Sequence, residues 1–398
     1  MKIARAHGSQ PAIVFPCTIS IVPYFVYVSD ILFNENLVNS MQIPLTLVLL
    51  FLLHGRAVGN HKTLILWTSN FMSGYLMIFR KLLQEELREW LLAGEPWLVH
   101  RVLTDLLGKQ ENDRLVVKTR TAIPRHPLVR KIFEGLNEDG YWGRPKDIHT
   151  WWPRKDTTFW ILPVLADFGF TVRDRRIARA CEYVLNTQLE SGGFGWDPPT
   201  KPGDCHSAII IETLSKLELL YDPRMQKAFD WLIQRQRVDG GFWCKNTGQI
   251  GGPREEEPSC AMATMFVLGA LAENPGLRDS EAAMRGVDFL FECWRNLGKI
   301  RYAGHDSQIG SGWEKLKYPF TDYKILKFLD VLSQFDYGRE RLQKSQMINL
   351  LLSKRDSEGK FTPESIHKVW SDFDFGQKQK PSRWITLLAL RILKRTSE

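Results

Sequence analysis

Two turns 48 positions apart constrain this chain more than any other feature: Gln188-Leu-Glu-Ser-Gly-Gly-Phe-Gly-Trp196 and Gln236-Arg-Val-Asp-Gly-Gly-Phe-Trp243. Laying one on the other also superimposes Asp174 on Asp222. A Gly-Gly-aromatic turn recurring at a fixed period marks a chain built from repeated supersecondary units, each needing its neighbours to bury its apolar face.

Each turn closes an amphipathic segment. Ahead of Gly192 stand Ala180, Cys181, Val184 and Leu185, and the same offsets ahead of Gly240 hold Ala228, Phe229, Leu232 and Ile233. Further copies end at Gly140, Gly298 and Gly359. Spacing of i, i+1, i+4, i+5 places these side chains in one stripe of a helix, with charges covering the rest. The glycine reads as a left-handed helix stop. Two positions later Trp142, Phe194, Phe242, Ile300 or Phe361 is expected to tuck under the helix just ended. Asp174 and Asp222 are placed to cap helix starts, and Pro223 falls at the favoured first position.

A variable loop follows each turn, then a helix of different character: 158–168, 206–220, 260–271, 321–332 and 382–393. Residues 209–211 and 262–271 are apolar nearly all round, which predicts helices covered on several sides. A sixth pair, 77–92 and 96–107, precedes these, with Gly94 as its stop. The expected fold is therefore all-α. Six outer and six inner helices make a single (α/α)6 toroid over residues 74–398, with an open helical solenoid as the alternative.

Residues 1–73 read as an apolar extension outside that unit, poor in acids and interrupted by Pro11, Pro16 and Pro23. The longest clean apolar run, 45–53, is short of the roughly 18 residues a spanning helix needs. An ill-ordered extension, or sequence translated upstream of a start at Met72 or Met77, is the reading adopted; membrane association through residues 43–79 is the alternative. The six cysteines (17, 181, 205, 244, 260 and 293) are too sparse for a disulfide framework and favour a reducing, cytoplasmic setting. The net charge of +8 is spread among interleaved acids, so no nucleic-acid partner is expected.

The turns Gln188-x3-Gly192-Gly-Phe194 and Gln236-x3-Gly240-Gly-Phe242 resemble the QW repeats of squalene and terpenoid cyclases. The run from Gly192 to Asp204-Cys-His206 is similar to a repeat of protein prenyltransferase β subunits, where such a loop leads to a zinc-binding histidine. The resemblance covers about residues 75–395 and implies the (α/α)6 toroid that both groups share. It also implies an isoprenoid substrate in a central cavity. Two departures stand out. The cyclase acid motif Asp-x-Asp-Asp is approached only by Asp372-Phe-Asp374-Phe375, and the prenyltransferase Asp-x-Cys becomes Asp156-Thr-Thr158.

The inner-helix starts gather the groups that can carry chemistry. Asp372 and Asp374 form the candidate catalytic pair, as general acids; the alternative is a pair of loop acids near Lys378, Lys380 and Arg383. Cys205, His206, Cys244 and Cys260 form a candidate zinc set, of the right ligand types and number for a tetrahedral site. The alternative is that they are buried packing residues and a lone turn thiol. Tryptophans near the mouth suit either cation–π stabilisation of a carbocation or plain packing. Two functions follow: an enzyme acting on an apolar isoprenoid, or a binding or scaffold toroid, with a protein partner, that has lost the chemistry.

Overall fold

The computed structural model describes residues 85–144, 156–195, 203–243, 257–300, 302, 312–320 and 323–397. Backbone contacts divide the chain into 1–71 and 72–398. The apolar extension, including the segment 43–79 considered for membrane association, lies outside the described residues. Among those described, no helix is long and apolar enough to cross a membrane.

The fold is all-α. The outer helices are α1 (Glu85–Leu92), α4 (Pro127–Glu134), α6 (Arg175–Leu185), α8 (Pro223–Ile233), α10 (Glu281–Arg295) and α13 (Met347–Leu352). The inner helices are α2 (Pro96–Arg101), α5 (Thr158–Asp167), α7 (Asp204–Leu214), α9 (Ala261–Ala272), α11 (Ile325–Leu332) and α14 (Arg383–Ser397). Both α2 and α7 run on as a turn of π helix, Val102–Leu106 and Ser215–Leu219. Two further helices, α3 (Arg114–Ala122) and α12 (Asp336–Gln343), sit between pairs and were not expected from the repeat.

The inner helices form a closed circuit. α5 packs on α7, α7 on α9, α9 on α11, α11 on α14 and α14 on α2. The last step runs from α2 to α5, where Arg101 Nε donates to the Asp167 carbonyl at 2.8 Å and the Trp97 ring stacks on Phe168 at 4.7 Å. Residues 261 and 263–272 are buried on every side of α9, as expected for a helix enclosed by its neighbours.

The repeat turns hold the two layers together. Gly192 and Gly240 take φ of 104° and 83°, and a Cβ on either would lie 2.6 Å from a carbonyl of the next outer helix, Lys227 or Arg285. Glycine is thus required twice over, by handedness and by close approach. The motif glutamines bridge the same interface: Gln188 Nε2 donates to the carbonyls of Gly192 and Arg224, and Gln236 Nε2 to those of Gly240 and Ala282, all at 2.8 Å. Each tucked aromatic then ties the turn to the following inner helix. The backbone N–H groups of Trp142, Phe194, Phe242 and Phe361 donate to hydroxyls of Thr158, Ser207, Thr264 and Thr386 at 2.8–2.9 Å. Asp174 and Asp222 cap α6 and α8 as expected, accepting from Arg176 N and Arg224 N.

Two expected turn features differ. Gly94 is not left-handed. Pro96 starts α2 almost at once, and Gly94 lies closely against the Leu98 side chain. Ile300 is 40% exposed and does not tuck; Tyr302 is the buried residue of that turn.

Candidate functional site

The starts of the inner helices hold most of the residues expected to carry chemistry. Asp204 opens α7 and is buried. Arg235 Nε donates to its Oδ1, and the Trp243 N–H donates to its Oδ2 at 3.0 Å. Burial pushes this carboxyl up to about 6, against the opposing pull of Arg235. His206 is fully buried with its ring stacked on Phe159, centroids 4.7 Å apart and planes 3° from parallel. Cys205 is buried one position earlier. Cys260 caps α9, its Sγ accepting from Ala263 N at 3.3 Å, and its backbone N–H donates to the Phe242 carbonyl.

His206 thus packs on Phe159, and Cys260 caps a helix. Among the described residues no three His, Cys, Asp or Glu side chains come together as a metal site. Cys244 lies outside the described residues. The described part of the set does not have the convergence that tetrahedral coordination needs. Cys181 is buried in the α6 stripe, where burial pushes its thiol up to about 12, the chemistry of an inert packing residue.

Asp372 and Asp374 are held apart by different partners. Asp372 is half exposed and receives Lys131 Nζ at 2.8 Å. Asp374 Oδ2 accepts from the Ser382 hydroxyl at 2.6 Å and from the Trp384 N–H at 2.9 Å, the geometry that starts a helix. One acid serves the surface and the other the first turn of α14.

Among the described residues, two groups of side chains occupy the interior of the ring. The first is aromatic. Phe168 meets Trp97 at 4.7 Å and Trp384 at 5.3 Å, and Tyr318 meets Phe375 at 4.8 Å and Trp384 at 5.5 Å. Tyr318 comes from the segment ahead of α11, and its hydroxyl donates to Asp167 Oδ2 at 2.9 Å, joining this cluster to the second group.

The second group is ionic. Glu212 of α7 takes Lys327 Nζ at 2.5 Å and Lys216 Nζ at 2.7 Å, and Lys216 also reaches Asp167 at 3.2 Å. Asp330 takes Arg391 at 2.8 Å and Arg395 at 3.0 Å, and Arg391 continues to Asp105 at 3.2 Å. Burial opposes ionisation of Glu212, but the two ammonium groups outweigh it and hold the carboxyl below its ordinary value. Burial is likewise overcome at Asp330, by Arg391 and Arg395, and its carboxyl is held far below. Gly269 of α9 makes the room: a Cβ there would lie 2.6 Å from Glu212 Oε2. One space of about 20 Å³ remains beside Lys216, Phe320 and Lys327, and another of about 20 Å³ between α5 and α7. Each has room for about one water molecule.

None of this interior ionic group was singled out from the sequence. A signal was present, since Glu212, Lys327 and Asp330 interrupt otherwise apolar inner helices, and a charge there requires a partner.

Residues 148–326 match the sequence profile of the squalene-hopene cyclase C-terminal domain. No curated protein matches the chain in sequence. Among solved structures, a protein from Actinoplanes is 14% identical, with 76% of this chain and 90% of that one covered and a TM-score of 0.38. The type II terpene cyclase MstE from Scytonema, without ligand, is 14% identical over 75% of this chain and 87% of its own, at a TM-score of 0.38. An arginine variant of the same cyclase, in complex with geranylgeranyl dihydroxybenzoate, is 13% identical over 76% and 86%, at 0.40.

Proposed function

We propose that this terpenoid cyclase-like protein uses its helical ring as a scaffold for binding and does not run proton-initiated cyclisation at Asp372 and Asp374. The observation that carries this reading is the filling of the ring. Tyr318, Trp384 and Phe168 occupy one part of the interior, and a charge-matched set around Glu212 and Asp330 occupies the next. A cyclase needs a cavity of several hundred Å³ to fold a polyene around its acid. The two described spaces beside α7, about 20 Å³ each, are an order of magnitude too small, and the larger described hollow, about 670 Å³, is lined by charged side chains that include Arg237, Asp239, Asp288, Glu292 and Arg341. The roles of the two acids support the same reading, because Asp374 is engaged by Ser382 and Trp384 and Asp372 by Lys131.

The second reading is an enzyme acting on an isoprenoid. It draws on the Trp97, Phe168, Phe375 and Trp384 cluster, whose ring faces suit a carbocation and which lies beside Asp374. Incubating the full chain with squalene and with geranylgeranyl-bearing substrates, followed by mass spectrometry of the extract, separates the two. The scaffold reading expects unchanged substrate. A cyclised or transferred product that disappears in Asp374→Asn would reverse the assignment.

A further inference from the structure

The acids that dilute positive charge elsewhere are missing from one stretch. Residues 114–133 contain Arg114, Lys118, Arg120, Arg125, Arg130 and Lys131 and no Asp or Glu. This stretch forms α3, the turn after it and most of α4. Val116 anchors one side of α3, Ile123 the turn after it, and Val129 and Phe133 one side of α4, all of them buried. The cations lie on the outward sides. Arg120 pairs with Glu111 and Lys131 with Asp372. Arg114, Lys118, Arg125 and Arg130 are exposed and make no ion pair among the described residues.

Apolar side chains are interleaved with these charges. Leu115 is 52% exposed and Val117 40% exposed, flanking Arg114 and Lys118 on the outer face of α3. Leu115 and Val117 leave apolar surface in water beside these charges. A surface that offers both phosphates and hydrocarbon satisfies both kinds of side chain. Nucleic acid offers the phosphates, but single strands are held by stacking on aromatic rings, and the stretch 114–133 presents only the buried Phe133.

We infer that the exposed face of α3 docks on an anionic phospholipid surface, Arg114 and Lys118 meeting lipid phosphates while Leu115 and Val117 enter the headgroup boundary. The inference goes beyond the scaffold reading and stands whether or not the ring is catalytic.

The test is flotation of the full chain with vesicles of phosphatidylcholine alone and of phosphatidylcholine with phosphatidylserine. Arg114→Gln with Lys118→Gln is compared with the unaltered chain, so any binding by residues 1–84 is common to both arms. The double substitution is expected to weaken partition onto anionic vesicles by roughly tenfold or more, at about a factor of five per cation lost. Leu115→Ser with Val117→Ser is expected to weaken it as well, with an unchanged unfolding midpoint because both side chains are exposed. High salt should lower binding of the unaltered chain toward that of the charge variant. Equal binding to the two vesicle types would overturn the inference. So would a charge variant that partitions within about twofold of the unaltered chain, or capture of an oligonucleotide with no binding to vesicles.

Discussion

Replacing Lys327 by methionine keeps an unbranched apolar stem, one atom shorter, and removes the charge from the interior. Lys327 is 1% exposed, with its ammonium 2.5 Å from Glu212. Removing one partner of a buried pair leaves the other to bear its desolvation, which costs about 3–5 kcal/mol. Glu212 keeps Lys216 at 2.7 Å, which places the expected loss near the lower end, about 3 kcal/mol. In a helical unit of this size that is a fall of roughly 5 °C in Tm. Combining Lys327→Met with Glu212→Gln removes both charges and should recover a good part of the loss, since an apolar replacement for a whole buried pair is often nearly neutral. Urea unfolding followed by circular dichroism gives both numbers. A single variant within about 0.5 kcal/mol of the unaltered chain would show that the pair is not formed in the folded ring. A double variant worse than the sum of the singles would show that the interior needs charge for something other than holding its helices together.

Other consequences follow from the same packing. Gly240→Ala should cost at least about 2 kcal/mol in the same unfolding assay, because alanine must take φ of 83° and its Cβ meets the Arg285 carbonyl. Ser207→Ala removes the acceptor of the buried Phe194 N–H and should cost about 1–2 kcal/mol. Asp204 has a folded value raised to about 6, so the native state binds the extra proton, and its contribution weakens as pH rises through that value. Relative to the unaltered chain, Asp204→Asn should therefore have a smaller loss of stability between pH 5 and pH 7 in matched melts; parallel curves would refute the assignment. Elemental analysis of the purified chain should find zinc well below one per molecule, given the positions of His206 and Cys260, and stoichiometric zinc lost in Cys260→Ala would restore the metal reading.

The outline of the fold was legible because its determinants are local. A glycine turn, a stripe at helical spacing and a capping aspartate all act within one repeat, and 48 residues separate two good copies. The exceptions are also local. Gly94 marks a helix end but has a packing role, and Ile300 occupies the aromatic position while Tyr302 is buried. Helices α3 and α12 escaped because they carry no glycine turn and belong to no copy of the repeat. The interior was not legible, for a physical reason. Asp105 meets Arg391 across 286 positions and Glu212 meets Lys327 across 115, so no spacing rule connects them. The hydroxyls that receive the turn aromatics were hidden in a similar way. Thr158, Ser207, Thr264 and Thr386 follow loops of different lengths, so only the folded chain aligns them. Asp372 and Asp374 stood out as a near-motif, yet proximity in sequence put one on Lys131 and the other at the start of α14.

The central claim of the proposed function is that the described aromatic and ionic side chains occupy the interior of the ring and leave no room there for an isoprenoid. Thermal unfolding of the full chain with and without saturating geranylgeranyl dihydroxybenzoate or squalene tests it directly, because a ligand held at a hundred times its Kd adds about 2.7 kcal/mol to stability. The filled interior predicts a coincident pair of melting curves. A rise of several degrees with either ligand, growing with its concentration, would mean that the ring opens a cavity for an isoprenoid and that the scaffold assignment is wrong.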